Sequence, residues 1–250
     1  MRAIILLPAA AALLALGGAA FAAEPQLSWR DIESRIQYGY YTEDAAALQG
    51  LVGVIAADES HDRLHGYYAA LLAYRQAQLA ARGAARGVSA ADLAQRCVEE
   101  ADALLAAQAQ FVDALTLRAA CLATPLSARN ATLSAHRARK DIARALQAAP
   151  RDPRALLIDA MNDYQLAGSG DGNRDRALPK LRQAVAAFEA ERAGLERLPG
   201  WGAAEAYLFL ARDLLDHADP VGARDALEHA LLIAPEFAQA RRLMARIVAG

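Results

Sequence analysis

From residue 29 onward, apolar residues recur every three or four positions, in runs separated by short polar, glycine or proline breaks. That period places them on one face of an α-helix. Runs alternating at period two and rich in Val, Ile, Thr and aromatics are missing, so strands have little support. The pattern predicts helices over 29–38, 42–57, 60–81, 89–107, 111–123, 134–148, 153–167, 175–192, 202–217, 220–233 and 235–248. Thr42, Ser60 and Ser89 read as N-caps, with Glu43 and Asp44 forming an acidic first turn after Thr42. Eleven helices with short connections make an all-α chain of consecutive antiparallel hairpins.

One arrangement occurs twice within those helices. Ala223, Leu227, Ala230 and Pro235 have the spacing of Ala138, Ile142, Ala145 and Pro150. Two alanines flanking a bulky residue on one face let another helix approach closely, and the bulky side chain fills the gap. Proline about one turn later cannot continue the helix and sets the turn into the next. The preceding helix carries the complement on one face: Tyr207, Leu210, Ala211 and Leu214. These eight residues resemble the signature of the tetratricopeptide (TPR) repeat, a helix pair of about 34 residues. Residues 204–237 are the best match, with Ala211 and Leu214 standing where the family has glycine and a second tyrosine. The resemblance implies a TPR-like α-solenoid of stacked helices.

The register continues more weakly upstream. Ala177, Leu181 and Ala184 keep the spacing, with Glu189 at the proline position, and so do Ala94, Val98 and Ala101. Successive second alanines, at 101, 145, 184 and 230, lie 44, 39 and 46 residues apart, so the array over 60–250 is degenerate, with insertions at 122–134, 167–174 and 193–202. Residues 152–181 and the later Gly200-Trp201 pair resemble a variant seen in exported bacterial TPR proteins, in which a helix, a glycine-rich loop and a second helix replace one repeat. In the family, contact residues stand one, five and eight positions after the first signature residue, on the concave side. The resemblance therefore implies Tyr68, Leu72 and Arg75 after Tyr67, Asp113 and Leu117 after Val112, and Leu208 and Arg212 after Tyr207. Asn162 and Gln165 are the polar candidates of the irregular repeat. Six of the eight tyrosines lie between 38 and 74. Tyrosine is enriched at binding surfaces, yet such a cluster also closes the N-terminal end of a core, and we expect the latter.

Residues 1–22 have the three parts of a secretory signal: Arg2, the apolar run 4–16 and the small-x-small site Ala20-Phe21-Ala22. We expect cleavage after Ala22, a helical segment over 23–59, and a periplasmic or secreted protein. Membrane attachment follows only if the signal stays uncleaved, since the run nearly suffices to span a bilayer. No cysteine follows it to carry a lipid anchor.

Composition adds architecture more than chemistry. Alanine accounts for 65 of 250 residues, so the 55% apolar fraction reflects a small helix former. The net charge is −2, and no arginine-rich run lies beside aromatics, which argues against nucleic acid. His61 and His65 have zinc-ligand spacing, but Asp62 stands where a zinc protease needs glutamate, so the segment reads as a polar first turn. Asp171 to Asp175 imitate the start of a calcium loop, yet Arg176 replaces the required glycine. His136, His217 and His229 are isolated. No metal, cofactor or catalytic constellation is expected, and so no enzyme. Two functional classes follow: a scaffold binding a protein segment on its concave surface, or a ligand-binding accessory resembling the T component of periplasmic TRAP-type transport systems. The partner and the oligomeric state are not written in the sequence.

Cys97 and Cys121, the only cysteines, are a disulfide candidate in an exported protein. Repeat register places Cys97 in the convex layer and leans Cys121 toward the concave side, so we expect two buried free thiols.

Overall fold

The computed structural model describes residues 27–58, 62–85, 87–124, 131–166, 174–192 and 197–249. Among them are eleven helices and no strand: α1 (Trp29–Tyr41), α2 (Ala45–Ala56), α3 (Arg63–Ala81), α4 (Ala90–Ala107), α5 (Val112–Ala123), α6 (Ala131–Ala148), α7 (Pro153–Leu166), α8 (Arg174–Arg192), α9 (Ala203–Asp216), α10 (Pro220–Ile233) and α11 (Ala238–Ala249).

Capping fixes the boundaries. Ser28 and Asp31 form a capping box that starts α1. Ser89 accepts the Asp92 N–H at 3.2 Å, and Pro220 occupies the first turn of α10 behind the Asp219 cap. Thr42 is a correction: it ends α1, and Asp44 caps α2 by accepting the Ala47 N–H at 2.9 Å. Asp62, accepting from Leu64 and His65, caps α3, while Ser60 lies outside the described residues.

Packing is densest within the pairs α3–α4, α5–α6, α7–α8 and α9–α10, and each pair leans on the next. A Cβ on Gly66 of α3 would come 3.1 Å from Leu104 on α4, so this pair approaches closely. The small–large–small positions do what their spacing suggested. All twelve, from Ala94, Val98 and Ala101 to Ala223, Leu227 and Ala230, are exposed by 3% or less.

The odd-numbered helices form an inner layer, α3 touching α5, α5 touching α7, and α7 touching α9. The layer closes on itself. Tyr40 and Tyr41 at the end of α1 pack on Phe237 just before α11, and Glu43 pairs with Arg242 of α11. Ile32, Ile36, Leu48 and Leu51 of α1 and α2 belong to the same hydrophobic core as the repeats.

The cysteines are joined. Cys97 on α4 and Cys121 on α5 form a disulfide with Cα atoms 6.1 Å apart, inside the bridgeable range. The expectation of free thiols failed because α5 is not a concave-face helix with an open side. It contacts α3, α4, α6 and α7, and eight of its residues are buried, so Cys121 faces α4 rather than solvent.

Candidate functional site

Where the inner layer closes, a buried polar cluster forms. Arg75 on α3, only 1% exposed, donates from Nε to Gln37 Oε1 at 3.0 Å and from Nη1 to Gln78 Oε1 at 2.9 Å, and its Nη2 pairs with Glu205 of α9. Glu205 also accepts the Tyr41 hydroxyl at 2.8 Å. The guanidinium lies 4.1 Å from the Tyr40 ring centroid and 5.0 Å from that of Trp201. Beside it, Glu33 of α1 accepts the Tyr68 hydroxyl at 2.6 Å and the Gly200 N–H at 2.7 Å, and Trp201 donates to the Tyr67 hydroxyl at 2.7 Å. Burial raises the pKa of Glu33, against which the Tyr68 hydrogen bond acts.

This cluster corrects much of the concave-face reading. Tyr68 and Arg75 are tied inside it, and Leu72, Leu117 and Leu208 are exposed by 3% or less. None of the five presents a surface to a peptide: Glu33, Gln37 and Glu205 sequester Tyr68 and Arg75, and the three leucines belong to the hydrophobic core. Five of the six N-terminal tyrosines are likewise buried, and only Tyr38, 58% exposed, faces solvent. Asp113 is partly buried. Burial pushes its carboxyl up to about 6, Asp152 adds repulsion, and Arg154, Arg197 and Arg63 oppose the rise.

The other three candidates converge. Asn162, Gln165 and Arg212 line a cavity of about 210 Å³ on the axis, to which every odd-numbered helix or its cap contributes and no even-numbered one does. Tyr40, Tyr74, Ile158, Met161 and Phe209 give it apolar and aromatic walls. Gln78, Gln239 and Arg82 add polar groups, and no carboxylate among the described residues lines it. The Arg75 cluster is its floor, since Tyr40 and Tyr74 both stack on that guanidinium and Gln78 accepts from it. Two shallower clefts of about 550 and 880 Å³ adjoin, sharing Arg212, Leu243 and Arg246 with one another.

Sequence reasoning missed Arg82, Gln239 and Tyr40. Arg82 follows Arg75 by two helical turns, so carrying the contact series further along α3 reaches it. Tyr40 was out of reach because the 23–59 segment was read as lying outside the array. Chemically, the cavity offers cations and amide donors and can hold an anion; it brings together no nucleophile–base pair. Among the described residues no group of three or more His, Cys, Asp or Glu could hold a metal ion, and His61 and 171–173 lie outside them.

No family model matches the chain, and no curated protein matches it. Solved structures do. A thermophilic TPR protein from Thermus thermophilus aligns with a TM-score of 0.59 at 18% identity, over 89% of this chain and 100% of that one. The HusA haemophore from Porphyromonas gingivalis aligns with a TM-score of 0.60 at 19% identity, over 78% of this chain and 96% of that one. At such identities the likeness carries the fold and nothing finer. The signature residues, the paired packing and these neighbours agree: the chain is all-α with a TPR-like helical-repeat fold.

Proposed function

We propose that the chain is an exported, non-catalytic binding protein whose helical array is a scaffold for a protein partner. Folds of this kind commonly serve as protein-interaction modules. The supporting observation in this molecule is its last hairpin. Val221, Leu232 and Val248 on α10 and α11 are 71%, 80% and 71% exposed. The contact falls there and not on the buried concave residues. The signal-like residues 1–22 and the Cys97–Cys121 bridge both favour an oxidising, exported location. A pull-down from periplasmic extract tests it. Wild type retains a specific protein, and a Leu232→Lys/Val248→Lys variant of unchanged melting temperature does not; equal capture by both removes the reading.

The axial cavity favours a second reading, a ligand-handling accessory resembling the T component of TRAP-type systems. One structural neighbour is itself described as a haemophore. Native mass spectrometry of the protein purified from its own compartment separates the two: a bound small molecule supports this reading, and a mass equal to the bare chain opposes it.

A further inference from the structure

We propose that the axial cavity is a binding site for a small organic oxyanion, a carboxylate or phosphate carried on a ring or short apolar body. This goes beyond the scaffold reading, because the cavity is filled or empty independently of any protein docked on α10 and α11.

Charge carries the argument first. Other arginines withdrawn from solvent have carboxylate partners: Arg75 has Glu205, Arg154 has Glu191, and Arg118 has Asp102 and Asp141. Arg82 and Arg212, which line the cavity, have none among the described residues. Arg212 donates from Nη2 to Gln239 Oε1 at 2.8 Å and lies 5.0 Å from the Phe209 ring; Arg82 reaches the Tyr40 hydroxyl at 3.4 Å. The carboxylates around the cavity are engaged elsewhere: Glu43, held below the usual range by Arg242 and more weakly by Arg82, is paired with Arg242. Glu205 is held by Arg75 and Tyr41 beneath the floor, and Asp216, in the adjoining cleft, accepts the Tyr164 hydroxyl at 2.9 Å. Burial lowers the Arg212 pKa, and repulsion from Arg82 and Arg246 acts the same way against Tyr40 and Tyr164. An anion between the arginines relieves that repulsion.

An independent observation comes from Gln239. The residue is 7% exposed, its Oε1 is used by Arg212, and its buried Nε2 has no hydrogen-bond partner among the described residues. A buried donor without an acceptor costs free energy comparable to a lost hydrogen bond. An oxyanion at Arg212 supplies the acceptor. Asn162, 6% exposed, adds an amide from α7. Behind these donors the walls are aromatic and aliphatic, which suits an apolar body. The volume of about 210 Å³ lies below the range of roughly 300–1,000 Å³ usual for drug-sized ligands, so the body is small.

Calorimetric titration at low salt tests this with four probes: benzoate, phenyl phosphate, inorganic phosphate and the uncharged benzyl alcohol. We expect benzoate or phenyl phosphate to bind one-to-one and at least tenfold tighter than benzyl alcohol; the tighter of the two identifies the headgroup. Arg212→Gln and, separately, Arg82→Gln weaken that anion at least tenfold, with benzyl alcohol unaffected. Ala123→Leu fills the cavity with both arginines in place and abolishes binding. Thermal melts of each variant establish that it is folded. No heat with either organic anion, equal affinity for benzyl alcohol, or inorganic phosphate binding as tightly as both organic anions overturns the proposal. Protein capture by Arg212→Gln stays at the wild-type level, so the scaffold reading stands or falls separately.

Discussion

Arg75 and Glu205, 130 residues apart in the chain, form an ion pair with side chains only 1% and 4% exposed, linking α3 to α9 across the inner layer. Removing one partner leaves the other charge buried and uncompensated. Arg75→Met should therefore destabilise by about 3–5 kcal/mol. Arg75→Met combined with Glu205→Leu should cost clearly less than the sum of the two single changes, measured by urea unfolding. Strict additivity would show that the two charges are not coupled.

Asp113 gives a pH dependence. Its carboxyl is held at about 6 against an ordinary 3.8, so the native state binds its proton more tightly than the unfolded chain does. Between pH 4 and 6 the native form carries more protons, and stability falls as pH rises through that window. The full shift corresponds to roughly 3 kcal/mol. Partial exposure reduces the expected effect to about 1–2 kcal/mol. Asp113→Asn should be more stable than wild type by that amount at pH 7.5 and equal to it at pH 3.5. Parallel stability curves for the two proteins would contradict the assignment.

The Cys97–Cys121 bridge joins residues 24 apart. Closing a loop of that length stabilises by about 3 kcal/mol in the chain-entropy model. Thiol titration of the denatured, unreduced protein should find no free thiol, and reduction should lower the unfolding free energy by about that much. Two titratable thiols would return the cysteines to the role of small core residues.

Ala230 is fully buried in α10, on the face shared with Ala223 and Leu227. Ala230→Leu should overpack this contact and cost roughly 1–3 kcal/mol, read as a lowered denaturation midpoint. A midpoint equal to that of wild type would mean that the site can expand freely.

The helices and the repeat register were legible because both depend on local periodicity. Ala223, Leu227 and Ala230 needed no knowledge of the rest of the chain to be placed on a buried face. Caps were less legible: Thr42, Asp44, Ser60 and Asp62 all have the side chains of N-caps, and selecting among them depends on one turn of backbone. Closure of the inner layer was not legible at all. It rests on Tyr41–Glu205, Glu33–Gly200 and Glu43–Arg242, contacts 164, 167 and 199 residues apart that follow no local spacing. For that reason the contact series treated Tyr68, Leu72, Arg75, Leu117 and Leu208 as surface, whereas Arg212 and the two polar residues of the irregular repeat, Asn162 and Gln165, line the cavity.

An open solenoid is energetically a one-dimensional stack, in which each repeat depends only on its neighbours and the ends fray independently. Here the first inner helix clasps the last through Phe237 and Arg242. Neither end can peel away without breaking contacts to the other. Loss of α1 strips Glu205 of α9 and Phe237 beside α11 of their partners Tyr40 and Tyr41, in addition to exposing α3, so unfolding at one end is coupled to the other and the graded melting of a linear array gives way to a more cooperative event. Hydrogen exchange in α1 and α11 should therefore report the same opening free energy, although the two helices lie at opposite ends of the sequence.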